Sequence, residues 1–152
     1  MTLSPGGVAA GGMPGKTHRT DIQVRFADTD ALGHVNNGSF VVYAETGRLE
    51  FARLLGATAR ALILAHIAVN FRRQVRFSES VVVFSWVERI GRTSVTLKQI
   101  IQANGELAAD VTSVVVSFDY QTQQPTPWPS DARAALEAYR PADNASSRAS
   151  DA

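Results

Sequence analysis

The chain of 152 residues contains no cysteine, which excludes disulfides, thiol nucleophiles and cysteine-ligated metal. It also lacks an excess of either charge: the net charge is +1 at pH 7, so no strong field favours a nucleic acid or an anionic membrane surface. No apolar run approaches the ~20 residues of a membrane span. The Gly-, Pro- and Ala-rich start, Met1 to Thr20, has no charged region followed by a continuous apolar core. It therefore does not read as a signal peptide, and a soluble cytoplasmic protein is expected. The composition is otherwise that of a globular protein, with 45% hydrophobic and 19% charged residues, and the length suffices for one domain with a core.

Residues 1–20 are expected to be disordered, punctuated by Gly6-Gly7, Gly11-Gly12 and Pro14-Gly15. One domain should follow over residues 21–140, with a disordered tail at 141–152. Within the domain, Ile22, Val24 and Phe26 alternate with polar neighbours and predict a strand over Asp21 to Ala27. A polar turn, Asp28 to Asn36, feeds a helix from Asn37 to about Leu55. Its apolar stripe runs through Phe40, Ala44, Gly47, Phe51 and Leu54/Leu55, with Gly56 as a stop. Val41, Val42, Tyr43 and Leu49 widen that stripe, which predicts a helix wrapped by a sheet.

The remainder reads as strands. Ala61 to Phe77 alternates, with Ile63, Ile67, Val69, Phe71, Val75 and Phe77 on one face and Leu64, His66, Asn70, Arg72, Gln74 and Arg76 on the other. Val81–Arg89, Thr93–Ala103 and Glu106–Tyr120 follow, joined by Ile90-Gly91-Arg92 and by an Asn104-Gly105 hairpin turn. Pro125 and Pro127-Trp128-Pro129 should end the sheet, and Ser130 should cap a short helix from Asp131 to about Tyr139. Strand, helix and about four long strands predict an α+β domain: a curved antiparallel meander around one central helix.

The polar turn carries the chemistry-bearing residues. Asp30 beside a helix N-terminus can attack a carbonyl or activate water while free N–H groups hold the developing charge; it can equally just cap the turn. Asp28, two residues earlier, should point the other way and brace the turn. His34 is a site residue or a structural hydrogen-bonding group. Asn36 and Asn37 are natural cap residues. Asp28, Asp30 and Gly33 match the first, third and sixth places of a calcium loop. Leu32 and Ser39 stand where the fifth and twelfth ligands belong, so no metal is expected. Glu45 is read as a structural partner of Arg48 or of a basic residue across the sheet. Arg72, Arg73, Arg76 and Arg92 are candidate phosphate contacts, although exposed strand arginines are usually just solvated. His66 and Asn70 share a face and either line a cavity or are satisfied within the sheet.

The run Val24-Arg25-Phe26-x-Asp28-Thr29-Asp30-x-x-Gly33-His34-Val35-Asn36-Asn37, followed by Tyr43-x-Glu45-x-x-Arg48, resembles the hot-dog fold acyl-CoA thioesterases of the 4-hydroxybenzoyl-CoA thioesterase type. The resemblance extends from about Thr20 to Tyr139. It implies a catalytic carboxylate at Asp30, acting as nucleophile or general base, and a carbonyl polarised by the backbone N–H of Asn37, with Gly38 beside it. It leaves His34 as a third candidate catalytic residue. Arg72 and the Arg92-Thr93-Ser94 segment become candidate contacts for coenzyme A, which is part of the substrate; no separate cofactor is implied. It further implies a homodimer, joined edge to edge with active sites at the interface, or a homotetramer. Phe40 stands where many members have tyrosine, and Asn70 to Val75 lacks a tyrosine and a proline found there in relatives. Two rival readings remain: a non-catalytic module that binds acyl-CoA or another apolar ligand, and hot-dog dehydratase or hydratase chemistry.

Overall fold

The structure, a computed structural model, describes residues 13–142. The expected disorder of residues 1–12 and 143–152 therefore lies outside the described residues. In chain order the elements are β1 (His18–Ile22), α1 (Asn37–Ala52), β2 (Leu62–Phe71), β3 (Val81–Ile90), β4 (Ser94–Ala103), β5 (Glu106–Asp119), β6 (Gln124–Pro125) and α2 (Ser130–Glu137). The main sheet is antiparallel throughout, in the order β1-β3-β4-β5-β2, with β6 paired to the end of β5. It curls around α1, as the alternating strands and the apolar helix predict.

Several boundaries differ from expectation. The first strand is His18–Ile22, starting inside the segment expected to be disordered, because its backbone pairs with β3 from His18↔Ser85 to Ile22↔Val81. The chain then leaves the sheet, and Phe26–Asp28 forms a single 3-10 turn. Phe26, read as part of the first strand, lies in that turn and is 81% exposed. The α-helical part of α1 ends at Ala52 and continues as 3-10 turns over Arg53–Arg60, broken at Gly56, where φ is 60°. Pro129, not Ser130, is the N-cap of α2, and Ser130 is its first residue. Instead of ending the sheet, Pro125 joins Gln124 in β6.

The meander is also incomplete. β3, β4 and β5 follow one another, and Asn104-Gly105 closes the β4–β5 hairpin with φ values of 49° and 79°. β2, however, pairs with β5 rather than with its sequence neighbour β3. It is shorter than expected, ending at Phe71, and a bulge at Ala65 falls between Leu64↔Val115 and His66↔Val114. An extra residue in one strand reverses the side-chain parity beyond it. Leu62 and Leu64 thus share the helix-facing side with Ile67, Val69 and Phe71, opposite Ser117, Val115, Ser113, Val111 and Ala109. Ile63 shares the other face with His66 and Asn70. His66 is exposed, and Asn70 Nδ2 donates to Asp110 Oδ1 at 2.9 Å, so neither lines the space under α1.

Two apolar clusters hold α1 to the sheet. The first joins Val35, Phe40, Tyr43, Ala44 and Val75 to Val83, Ile101 and Val111. The second joins Phe51 and Leu55 to Val87, Leu97 and Val115 of the sheet, to Trp128 in the segment before α2, and to Leu136 of α2. Between them the helix descends onto the strands at Gly47. A β-carbon there would lie 2.6 Å from Val83 Cγ1 and 2.9 Å from Gln99 Nε2. That amide is itself fixed, donating to Ala44 O and Ser85 Oγ at 3.0 Å each.

Gly47→Ala should therefore destabilise the fold although alanine is the better helix former. Overpacking of about 1–3 kcal/mol exceeds the gain of up to ~1 kcal/mol in helix propensity. A melting temperature below the wild-type value is the expected result.

Candidate active site

The segment between β1 and α1 is built on one buried carboxylate. Asp28 is 3% exposed. Its Oδ2 accepts from Arg25 N at 2.9 Å and from the Tyr43 hydroxyl at 2.8 Å. Its Oδ1 accepts from Arg25 Nη2 at 2.9 Å and Nε at 3.2 Å. Burial alone would push this carboxyl up. The Arg25 backbone N–H, the Tyr43 hydroxyl and the Arg25 guanidinium together outweigh it and hold the group below the usual carboxylate range. Burial and the neighbouring Asp28 push the Tyr43 hydroxyl up in turn, so it stays a donor. The bracing role expected of Asp28 is thus present, supplied mainly by side chains that the turn alone does not predict.

The Asp28 backbone is equally occupied. Its carbonyl accepts from Asn36 N at 2.9 Å and from Ser39 Oγ at 3.1 Å. Asn36 is the N-cap of α1, its side chain accepting from Ser39 N at 2.9 Å. Asp28 therefore ties the entering chain to the first turn of the helix. The Ser39 and Phe40 N–H groups also bond to Asn36 O, whereas those of Asn37 and Gly38 have no partner among the described residues, as is usual for the first N–H groups of a helix.

Between these anchors Asp30 to His34 forms a tight loop. Thr29 bridges Val35, Asp30 N donates to His34 O at 2.7 Å, and Gly33 takes φ of 79°. Asp30 is exposed, and its Oδ1 accepts from Leu32 N at 2.9 Å and His34 N at 3.1 Å. Oδ2 has no partner among the described residues. Asp30 therefore both caps its loop and presents one free carboxylate oxygen. His34 is part-buried, with Nδ1 lacking a partner among the described residues, and its backbone bridges Arg76. Val35 N donates to Val75 O at 2.7 Å, which pins the loop to the segment after β2. Phe26, Phe77 and Leu32 form an exposed apolar rim around it, the two rings edge to face at 6.1 Å.

The remaining candidates are dispersed. Arg72 Nε donates to Asp110 Oδ2 at 2.6 Å, on the sheet face turned away from α1. Arg73 is bound by Glu79, at 2.7 Å and 3.2 Å. Arg92, Thr93 and Ser94 lie at the β3–β4 turn, at the opposite end of those strands from the Asp30 loop. That is ~30 Å away for a strand of this length. There Thr93 O accepts from Ser117 N, and Ser94 O from Gly91 N and Trp128 Nε1. One chain thus brings together Asp30, His34, Asn37 and Gly38, but neither Arg72 nor the Arg92 segment. Glu45 is exposed and forms no ion pair with Arg48 among the described residues, contrary to the pairing expected. Tyr43 and Arg25 escaped the sequence reading as supports of the site. The three-residue step from Arg25 to Asp28 was visible, but a carboxylate reached from fifteen residues along the chain was not.

Comparison with known proteins identifies the frame that carries this loop. The family model of the thioesterase-like superfamily matches residues 24–136. The chain belongs to that superfamily. Its fold is the hot-dog fold: a predicted thioesterase from Bacillus stearothermophilus superposes with a TM-score of 0.78 at 32% identity, over 82% of this chain and 97% of that one. A thioesterase from Thermus thermophilus, solved with coenzyme A and zinc, gives 0.74 at 30% identity, over 80% and 92%. The long-chain acyl-CoA thioesterase FadM of Escherichia coli is 28% identical over 127 residues, which cover 78% of this chain and 96% of FadM. Among the described residues of this superfamily member, no group of three His, Asp or Glu side chains could hold a metal ion, and no helix is long and apolar enough to cross a membrane.

Replacing Asp28 with asparagine should lower stability at neutral pH by about 2 kcal/mol, the range for a hydrogen-bonded buried carboxylate. Because folding lowers the Asp28 pKa, its contribution is full above the unfolded value of ~3.9 and is lost as pH falls through the folded value. Denaturant melts at stepped pH should show wild type and Asp28→Asn converging below pH ~4; a gap independent of pH would contradict the assignment.

Proposed function

We propose that this thioester hydrolase cleaves an acyl-CoA into the free acid and coenzyme A. The observation that carries the reading is that, among the described residues, Asp30 Oδ2 is free in a loop clamped against a helix start whose first two N–H groups are unused. Asp30 attacks the acyl carbon or takes a proton from the attacking water. The Asn37 N–H, with that of Gly38, holds the carbonyl oxygen as it becomes an oxyanion. The carbon–sulfur bond breaks, the thiolate leaves with a proton, and water supplies the new oxygen of the acid. Membership of the thioesterase-like superfamily and the likeness to FadM support this substrate class.

The active unit in this reading is a homodimer or a pair of dimers. α1 leaves Val42 and Leu49 exposed at 49% and 59%, and β2 is an edge strand of ten residues. Apolar helix faces and long free edges of this kind call for a partner. Arg92, Thr93 and Ser94 lie too far from Asp30 within one chain, so coenzyme A contacts from them would come from the second subunit.

The binding-module reading rests on the two backbone N–H groups that Asp30 Oδ1 accepts, since they give the residue a structural task. Asp30→Asn separates the two. Asparagine keeps the Oδ1 acceptor and hence the loop, with stability within ~1 kcal/mol of wild type, but it lacks the basic or nucleophilic oxygen. Thiol release from a panel of acyl-CoAs should fall by about 10²–10⁴-fold. Turnover equal to wild type would remove Asp30 from the chemistry. Saturable binding with no hydrolysis by either protein would favour the module.

A further inference from the structure

The cavity beneath the second half of α1 holds a charge that the mechanism does not use. It measures about 230 Å³ and is lined by Leu49, Phe51, Leu62, Leu64 and Val115, together with Glu45 and Arg48. Arg48 is only 8% exposed, and its Nη1 is fully buried with no hydrogen-bond partner among the described residues. Glu45, the other charged lining residue, is itself exposed and acts on Arg48 only through space. A guanidinium buried in an apolar wall is expensive unless an acceptor meets it, and a carboxylate matches its planar fork with two parallel bonds.

The cavity is also placed to receive the far end of an acyl chain. Arg48 lies eleven residues beyond Asn37 on one helix, ~16 Å along its axis. Val41, Glu45 and Leu49 recur every fourth residue and are exposed, forming a track, apolar at Val41 and Leu49 and charged at Glu45, from the helix start to the cavity that Glu45 and Leu49 line. An acyl group whose carbonyl sits at the Asn37 N–H would lay its methylenes along this track.

We infer that the cavity is the distal acyl subsite and that Arg48 selects acyl groups of medium length carrying a carboxylate at the far end. This rests on the thioesterase reading for the position of the carbonyl. Burial lowers the Arg48 pKa while Glu45 partly restores it, so an entering anion meets a cation whose field no contact partner quenches.

The test compares lauroyl-CoA with the mono-CoA thioester of dodecanedioic acid, using wild type, Arg48→Met and Arg48→Lys in thiol-release assays. Wild type should show a KM about tenfold or more lower for the carboxylate-ended substrate, with similar kcat. Arg48→Met should lose that advantage, its KM values for the two substrates becoming equal; Arg48→Lys should recover part of it. Calorimetry with free dodecanedioate reads the same subsite without hydrolysis, and wild type should bind about tenfold tighter than Arg48→Met. If dodecanedioate binds through Arg48 and neither thioester is cleaved, the hydrolase reading fails and the subsite stands. If both thioesters are cleaved without preference, the subsite fails and the hydrolase stands. Should Arg48→Met not fold, the wild-type preference and Arg48→Lys still decide. Loss of the oligomer on gel filtration with unchanged selectivity would place Arg48 in a subunit contact and overturn the inference.

Discussion

The buried carboxylate of Asp28 is the constraint on which the candidate site depends. Its side chain gathers the backbone and guanidinium of Arg25 and the hydroxyl of Tyr43, and its carbonyl gathers Asn36 and Ser39. Five groups from three segments thus meet on one residue. The chain leaving β1 cannot drift from the first turn of α1 without breaking several charge-assisted bonds at once, each stronger than a neutral one. An oxyanion contact must be held within fractions of an ångström of where charge develops. A free loop would not do that; a loop tied at Asp28 and again at Val35–Val75 can.

Tyr43 links this constraint to the core. It lies on the buried face of α1 with Phe40, Ala44 and Gly47, so the packing that seats the helix also aims the hydroxyl at Asp28. The seat is close because Gly47 has no side chain and Gln99 bonds to the Ala44 carbonyl from the sheet. Sheet, helix and loop therefore form a single chain of contacts. A change that lifts the helix at Gly47 is felt at the helix end where catalysis is proposed, through rigid geometry alone.

Much of this was legible in the sequence. The alternation of β3, β4 and β5, the Asn104-Gly105 turn and the apolar stripe of α1 are local patterns with one reading each. What was hidden was set by pairing at a distance. The bulge at Ala65 reversed which of Ile63 and Leu64 faces the helix, because register against β5 overrides the simple alternation of β2. β1 lies earlier than Ile22, Val24 and Phe26 suggest, since its pairing with β3 begins at His18, and Phe26 went to an exposed rim beside Phe77. At the site, Asp28 braces the turn as its place in the sequence predicts and Asp30 caps its loop while keeping one oxygen free, whereas the Tyr43 contact and the Arg72–Asp110 pair depended on the fold.

The helix itself shows why some of its residues look misplaced in a single chain. α1 carries apolar residues on both faces, yet the sheet covers only one, leaving Val41, Val42 and Leu49 in the open beside Glu45. Apolar residues on a helix face away from its own sheet are stable where something lies against them. Along the uncovered face runs the track that starts at the free N–H groups of Asn37 and Gly38 and ends at the cavity holding Arg48. In the proposed reading this one surface serves two occupants, a second subunit and an extended acyl chain. A chain lying between two subunits is shielded from water over its length, and an apolar sleeve of that kind makes a single buried cation at its end strongly selective. In water the same guanidinium would distinguish a carboxylate from a methyl group only weakly, because solvent would satisfy it in either case.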